Sequence, residues 1–164
     1  MKIRFLATGG TFDKEYNEVS GALFFKDTHV REMLRLARCD LDLEIRTLMM
    51  IDSTEMTERD RAQIFERCAG ASEDRIVISH GTDTMAETAR YLGERLAGKT
   101  IVLTGAVVPY TFGSSDGLFN LGSALAFAQT LPPGVYVAMN GRCFHWDDVR
   151  KNRSTAHFEA TRER

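Results

Sequence analysis

The hydrophobic positions fall into short runs set apart by polar turns, and the period inside each run predicts its element. Residues 2–7 are nearly all apolar after Lys2 and Arg4 and predict a first strand. Asp13 to Gly21 is polar and aperiodic, which predicts a mobile loop or irregular hairpin with Ala22 to Phe25 as its returning arm. Val30, Met33, Leu34 and Ala37 recur at helical spacing, so a helix capped by Asp27 or Thr28 is expected through about Arg38. Leu41 to Met50 reads as a second strand, and Thr57 begins a helix to about Cys68 with Asp60 at the capping-box position. A third strand, Asp74 to Ser79, leads through a polar turn into a helix with Met85, Ala89, Leu92 and Leu96 on one face, ending near Gly98. Lys99 to Thr104 is a fourth strand and Gly105 to Asp116 an extended loop. Leu118, Leu121, Leu125 and Ala128 form the expected stripe of a helix over 118–130. Val135 to Met139 is a fifth strand, turned by Asn140-Gly141 into an antiparallel return over Arg142 to Trp146. From Asp147 the tail reads as polar loop until Ala156-His157-Phe158.

Repeated strand–helix alternation implies an α/β fold. The expected form is a three-layer, Rossmann-like open sheet, mostly parallel and flanked by helices, with a hairpin at the C-terminal side. No repeat and no linker interrupts the pattern, so a single domain over residues 1–164 is expected. The chain is 43% hydrophobic and 27% charged, enough to bury the core of a soluble globular domain. A formal net charge of -2 gives no broad basic field and argues against nucleic acid as a partner. The stretch from Arg150 to Arg164 is a weak basic patch at best. Cys39, Cys68 and Cys143 are odd in number and widely spaced, which argues against a disulfide framework and predicts a reducing, cytoplasmic setting. No apolar run has signal-peptide or transmembrane length, so no membrane role is expected. The histidines and cysteines lack metal-ligand spacing; neither a metal nor a cofactor is expected.

In an open parallel sheet, ligands bind at the carboxyl ends of the strands. Those ends carry Thr8 and Thr11, then Ser53 and Glu55, then Thr82 and Asp83, then Thr104. Several of these are also ordinary turn and cap formers. Thr8-Gly9-Gly10-Thr11 lacks the third glycine of a dinucleotide fingerprint and the Gly-Lys-Ser/Thr ending of a phosphate loop. A threonine hydroxyl needs activation to attack. No histidine triad is readable, and His80 is expected to make a structural hydrogen bond. Lys151, if it approaches Thr82 and Asp83, would move the threonine's proton; otherwise it is a solvated lysine.

Five motifs carry a resemblance: Thr8-Gly9-Gly10-Thr11, His80-Gly81-Thr82-Asp83-Thr84, Thr104-Gly105-Ala106, Asp116-Gly117-Leu118-Phe119-Asn120-Leu121 and Asp148-Val149-Arg150-Lys151. In this order they resemble the amino-terminal domain of the bacterial-type L-asparaginases, amidohydrolases that deaminate asparagine and sometimes glutamine. The resemblance spans nearly the whole chain. It is nearest to a short, single-domain group without the smaller carboxyl-terminal domain. It implies Thr11 as the primary nucleophile and Tyr16 as the lid tyrosine that activates it. It implies Thr82, Asp83 and Lys151 as a second triad, with Asp83 also binding the substrate ammonium. Ser53 is implied as the α-carboxylate binder, with Thr54 in the same binding segment and Glu55 as an ammonium ligand. Attack by Thr82, with Thr11 positioning, stays open. The implied partner is free L-asparagine, with no cofactor. A homo-oligomer, dimer or tetramer, is expected, because a neighbouring subunit would complete a pocket the small domain otherwise finishes. Two other readings are an amino-acid-binding domain without turnover and an accessory domain of an amidotransferase acting on amino acids attached to transfer RNA.

Overall fold

The computed structural model describes residues 1–162; Glu163 and Arg164, the end of the basic stretch and of the expected domain, lie outside them. The sheet is built from β1 (Lys2–Gly9), β4 (Asp42–Ile51), β5 (Arg75–Ser79), β6 (Thr100–Thr104), β7 (Gly134–Met139) and β8 (Arg142–His145). Its strand order is β4-β1-β5-β6-β7-β8, parallel except for β8. The β7–β8 turn is the expected one, with Asn140 and Gly141 both at positive φ (56° and 74°). The central strands are apolar on both faces because helices cover both. On one side, Ile64 and Cys68 of α2 (Glu58–Ala69) and Met85 and Leu92 of α3 (Met85–Gly93) pack on Leu6, Ile78 and Leu103. On the other, Val30 and Met33 of α1 (Val30–Leu36) and Leu121 and Ala124 of α4 (Gly117–Thr130) pack on Phe5, Val77 and Val102.

Two small antiparallel hairpins stand outside this sheet. One is β2 (Lys14–Asn17) with β3 (Ala22–Phe25), directly after the first strand's turn. The other is β9 (Arg150–Asn152) with β10 (His157–Glu159), where the sequence pattern predicts loop. Strands of three residues are too short for a period to show, yet Phe158, opposite Lys151, is 2% exposed.

Four helix details differ from expectation. The cap position of α1 is held by His29 without a side-chain bond, one residue past Thr28, whose hydroxyl still accepts the Val30 N–H at 3.4 Å. Thr28 turns its hydroxyl to Asp13, and Asp27 accepts from the Thr28 N–H. The helix stops at Leu36 because Arg38 adopts the left-handed conformation (φ 52°) and Cys39 N–H returns to the Leu34 carbonyl. α3 ends at Gly93, and Leu96 is held beyond it by a turn to Leu92. Leu118 is 38% exposed at the start of α4, so the buried stripe begins at Leu121. The α2 capping box forms as expected between Thr57 and Asp60.

Candidate active site

The chain passes from β1 to β4 on one side, then returns to β5 on the other. The strand order therefore reverses at β1 and β5, and the crevice at such a point is where open sheets bind ligands. Thr8, at the end of β1, donates its hydroxyl to the Ser79 carbonyl at 2.7 Å and locks the two strand ends together. Beyond it, Gly9 and Gly10 have positive φ (93° and 79°). A Cβ on Gly10 would lie closer than 3.0 Å to the Gly81 backbone. A Cβ on Gly81 would lie 2.5 Å from Ser53 Oγ. Three loops thus meet backbone to backbone at one point, and only glycine allows the approach. A bulge in β4 and the Gly10 N–H bond to the Ile51 carbonyl bring in the loop that carries Ser53.

Thr82, 5% exposed, and Asp83 leave β5 beside this point. Lys151 Nζ donates to Thr82 Oγ1 at 2.7 Å and to Asp83 Oδ1 at 2.8 Å. The ammonium end is mostly enclosed, with 14% of the Lys151 side chain exposed, while Asp83 opens to solvent. Neither Thr82 nor Asp83 caps α3. Thr84 occupies the cap position and donates its hydroxyl to the Ser53 carbonyl at 2.9 Å. Lys151 comes from the β9–β10 hairpin, which is tied down by a chain of amides. Asn120 donates to the Gly105 carbonyl and accepts from the Asn140 N–H; Asn140 in turn accepts the Phe158 N–H at 2.9 Å. Asp116 accepts from the N–H groups of Val107 and Val108 and from the Asn120 amide. The four-residue spacing of Asp116 and Asn120 on one helix turn is the only sequence signal for this tether.

Thr11 sits on a 3-10 turn, Thr11–Asp13, partly open to solvent. Ser53 is buried and its hydroxyl has no partner. Glu55 is exposed on the same loop, and the Thr54 hydroxyl is taken by Asp52 at 2.7 Å. Tyr16 lies on β2, 53% exposed, and lines a cleft of about 500 Å³ with Glu15, Thr111 and Phe112. That cleft contains neither Thr82 nor Lys151, so the geometry unites Thr82, Asp83 and Lys151 and leaves Tyr16 outside that cluster. Thr104 is buried and bonded to the Ala138 carbonyl.

His80 is fully buried; burial drives its pKa down to about 4, against the favourable bond to the Gly81 carbonyl. Its Nδ1 is 2.8 Å from that carbonyl and its Nε2 2.8 Å from Thr88 Oγ1. It is a neutral structural ring, with Nδ1 donating and Nε2 accepting. Two contacts at the base of the β2–β3 hairpin escape a reading of the sequence. Lys14 pairs with Asp52, next to Ser53. Burial raises the Asp52 carboxyl, but the Lys14 and Thr54 hydrogen bonds outweigh it and bring it down to about 2. Asp13 is buried, and burial pushes it up to about 6 despite its bonds to His29 N–H and Thr28. Among the described residues no group of three or more His, Cys, Asp or Glu is placed to hold a metal ion. None of their helices is long and apolar enough to cross a membrane.

The asparaginase N-terminal family model matches residues 2–162. The chain belongs to that family. It is 35% identical over 143 residues to the L-asparaginase of Thermococcus kodakarensis, covering 84% of this chain and 44% of that protein. It is 35% identical over 158 residues to L-asparaginase 1 of Escherichia coli K12, covering 90% and 45%. Among solved structures, the thermostable L-asparaginase from Thermococcus kodakarensis superimposes with a TM-score of 0.86 at 32% identity, over 98% of this chain and 51% of that one. L-asparaginase I from Vibrio cholerae gives 0.86 at 26% identity, over 99% and 52%. The chain spans about half the length of these relatives, and the shared half is their amino-terminal α/β domain. The fold class read from the sequence is that of this asparaginase domain, including the antiparallel hairpin.

Proposed function

We propose that this asparaginase-family domain hydrolyses the side-chain amide of free L-asparagine to L-aspartate and ammonia through an acyl-enzyme. The observation that carries the reading is Lys151 Nζ within 2.8 Å of both Thr82 Oγ1 and Asp83 Oδ1, on the turn that touches the Thr11 turn. A hydroxyl that must lose its proton needs an acceptor within hydrogen-bond reach: the Lys151 ammonium passes a proton to the Asp83 carboxylate and, as the amine, takes the one from Thr82. Thr11 Oγ1 attacks the amide carbon, and its proton passes to the leaving nitrogen. The C–N bond breaks, ammonia departs and an aspartyl ester remains. A water, deprotonated through Thr82 and Lys151, cleaves the ester, releasing aspartate and restoring the threonine. Backbone N–H groups at the start of α3, at Thr82 and Thr84, serve the oxyanion. The buried, unpartnered Ser53 hydroxyl is the donor for the substrate α-carboxylate. Asp83 and Glu55 are the anions for its ammonium.

The contact of Thr82 with Lys151 favours a second division of labour, in which Thr82 attacks and Thr11 positions. Acid-quenching the pure protein with asparagine and mapping the acylated peptide separates the two. The primary test is ammonia release from asparagine by the pure protein; none in any assembly state sinks the reading, and leaves the binding-only or accessory-domain alternatives. Asp83 and Tyr16 both face solvent, so the site is open on the ammonium side. A homo-oligomer, dimer or tetramer, closes it in this reading; sedimentation of a fully active monomer counts against that part alone. The three free cysteines support a cytoplasmic setting.

A further inference from the structure

Asp13 follows Thr11 by two residues and is entirely buried. Its Oδ1 accepts the His29 N–H at 2.9 Å and the Thr28 hydroxyl at 3.1 Å, while Oδ2 has no partner. A buried carboxylate with one oxygen unsatisfied is costly, and packing alone does not call for it. Groups this unfavourable persist where they hold a functional geometry. Around Asp13 the geometry is the root of the Thr11 turn. The Asp13 N–H closes that turn on the Gly10 carbonyl at 3.2 Å, and Phe12 beside it is fully buried. Asp13 is also the last residue before the β2–β3 hairpin.

We infer that Asp13 is a positioning residue: as an anion it ties the turn that carries Thr11, and the base of the hairpin, to the start of α1. The inference rests on Thr11 as a reacting group. The charged groups facing Asp13 come from the segment before α1, His29 favouring the anion and Asp27 opposing it. Glu15 on β2 reaches the cluster through His29 Nε2 at 3.4 Å. The His29 ring also lies tilted against Tyr110, with ring centroids 5.7 Å apart. Burial places the Asp13 titration near pH 6, inside a range open to measurement.

The test follows kcat and KM for asparagine from pH 4.5 to 8, alongside the Asp13 carboxyl ¹³C resonance and the amide resonances of Thr11 to Lys14. In the wild type, the acid limb of kcat and the amide shifts follow the carboxyl titration. Asp13→Asn lowers kcat at pH 8 roughly 10- to 100-fold with KM within about twofold, and removes that limb. Thr28→Val, which deletes one donor to the anion, moves the carboxyl midpoint and the acid limb upward together, and covers the case of an Asn variant that does not fold. Wild-type kcat with an unchanged limb in Asp13→Asn overturns the inference. So does a carboxyl still protonated at pH 8. Amides of Thr11 to Lys14 that ignore the carboxyl overturn the tie even in a chain that releases no ammonia, which by itself sinks only the hydrolase reading.

Discussion

Gly10 and Gly81 touch backbone to backbone, although about 70 positions of sequence and four strands, β2 to β5, lie between them in the chain. The contact sets how near the Thr11 and Thr82 hydroxyls come. Gly81→Ala places a methyl 2.5 Å from Ser53 Oγ, and Gly10→Ala adds the strain of a positive φ. Each is expected to cost roughly 3 kcal/mol or more in urea unfolding. Gly98→Ala is the control: its φ is +80° but nothing lies within 4 Å, so about 1 kcal/mol of backbone strain is expected. Equal losses at all three positions would refute the contact argument.

Lys151→Met and Thr82→Val remove the short bond at the site while keeping the bulk of the side chain. Each is expected to lower ammonia release by about 10³-fold or more. Asp83 is open to solvent, so losing its partner strands no buried charge, and the melting temperature of Lys151→Met should stay within a few degrees of wild type. Thr11→Ala should behave alike. Retained turnover in the lysine variant would break the proton path.

The tether behind Lys151 is separable from its turn. Asn140→Gly keeps the left-handed backbone but deletes the side-chain carbonyl that accepts the Phe158 N–H. A stability loss of about 1 kcal/mol is expected, with a kcat loss of roughly tenfold or more from a lysine no longer held in place. An unchanged kcat would show that the β9–β10 hairpin holds itself.

Asp13 and His80 oppose each other in acid. Asp13 has a raised pKa in the fold, about 6 against 3.8, so the folded chain holds the extra proton between those values. Its contribution is fully present below pH 4 and is lost as pH rises through 6, a cost of about 3 kcal/mol at neutrality. His80 is depressed to about 4 from 6.5, so the unfolded chain takes the extra proton, and stability falls as pH drops from 6.5 to 4. The two slopes largely cancel in the wild type. Asp13→Asn is therefore expected to lose stability more steeply below pH 6.5 than wild type, as read from denaturant midpoints. Parallel curves for the two proteins would contradict the burial of the Asp13 carboxyl.

The sheet was legible because β1, β5 and β6 are continuous apolar runs, and both flanking layers showed a helical period. The β9–β10 hairpin was not, since its hold on the fold comes from Asn140, Val149 and Phe158 rather than from any period of its own. Asp13 was equally hidden: it stands in a polar stretch, and only the approach of Thr28 and His29 shows that it is inside. At Thr82 and Asp83, cap and reactive group share the same residue types. Lys151 tells them apart by distance, which a sequence does not record.

The lysine's place late in the chain gives the site a history. Lys151 is added 69 residues after Thr82, roughly 3 to 14 s later at ~5–20 residues per second of translation. Every strand of the main sheet has by then been made. A ribosome-bound intermediate can carry both threonine turns, already in contact, while its chemistry still waits for the base.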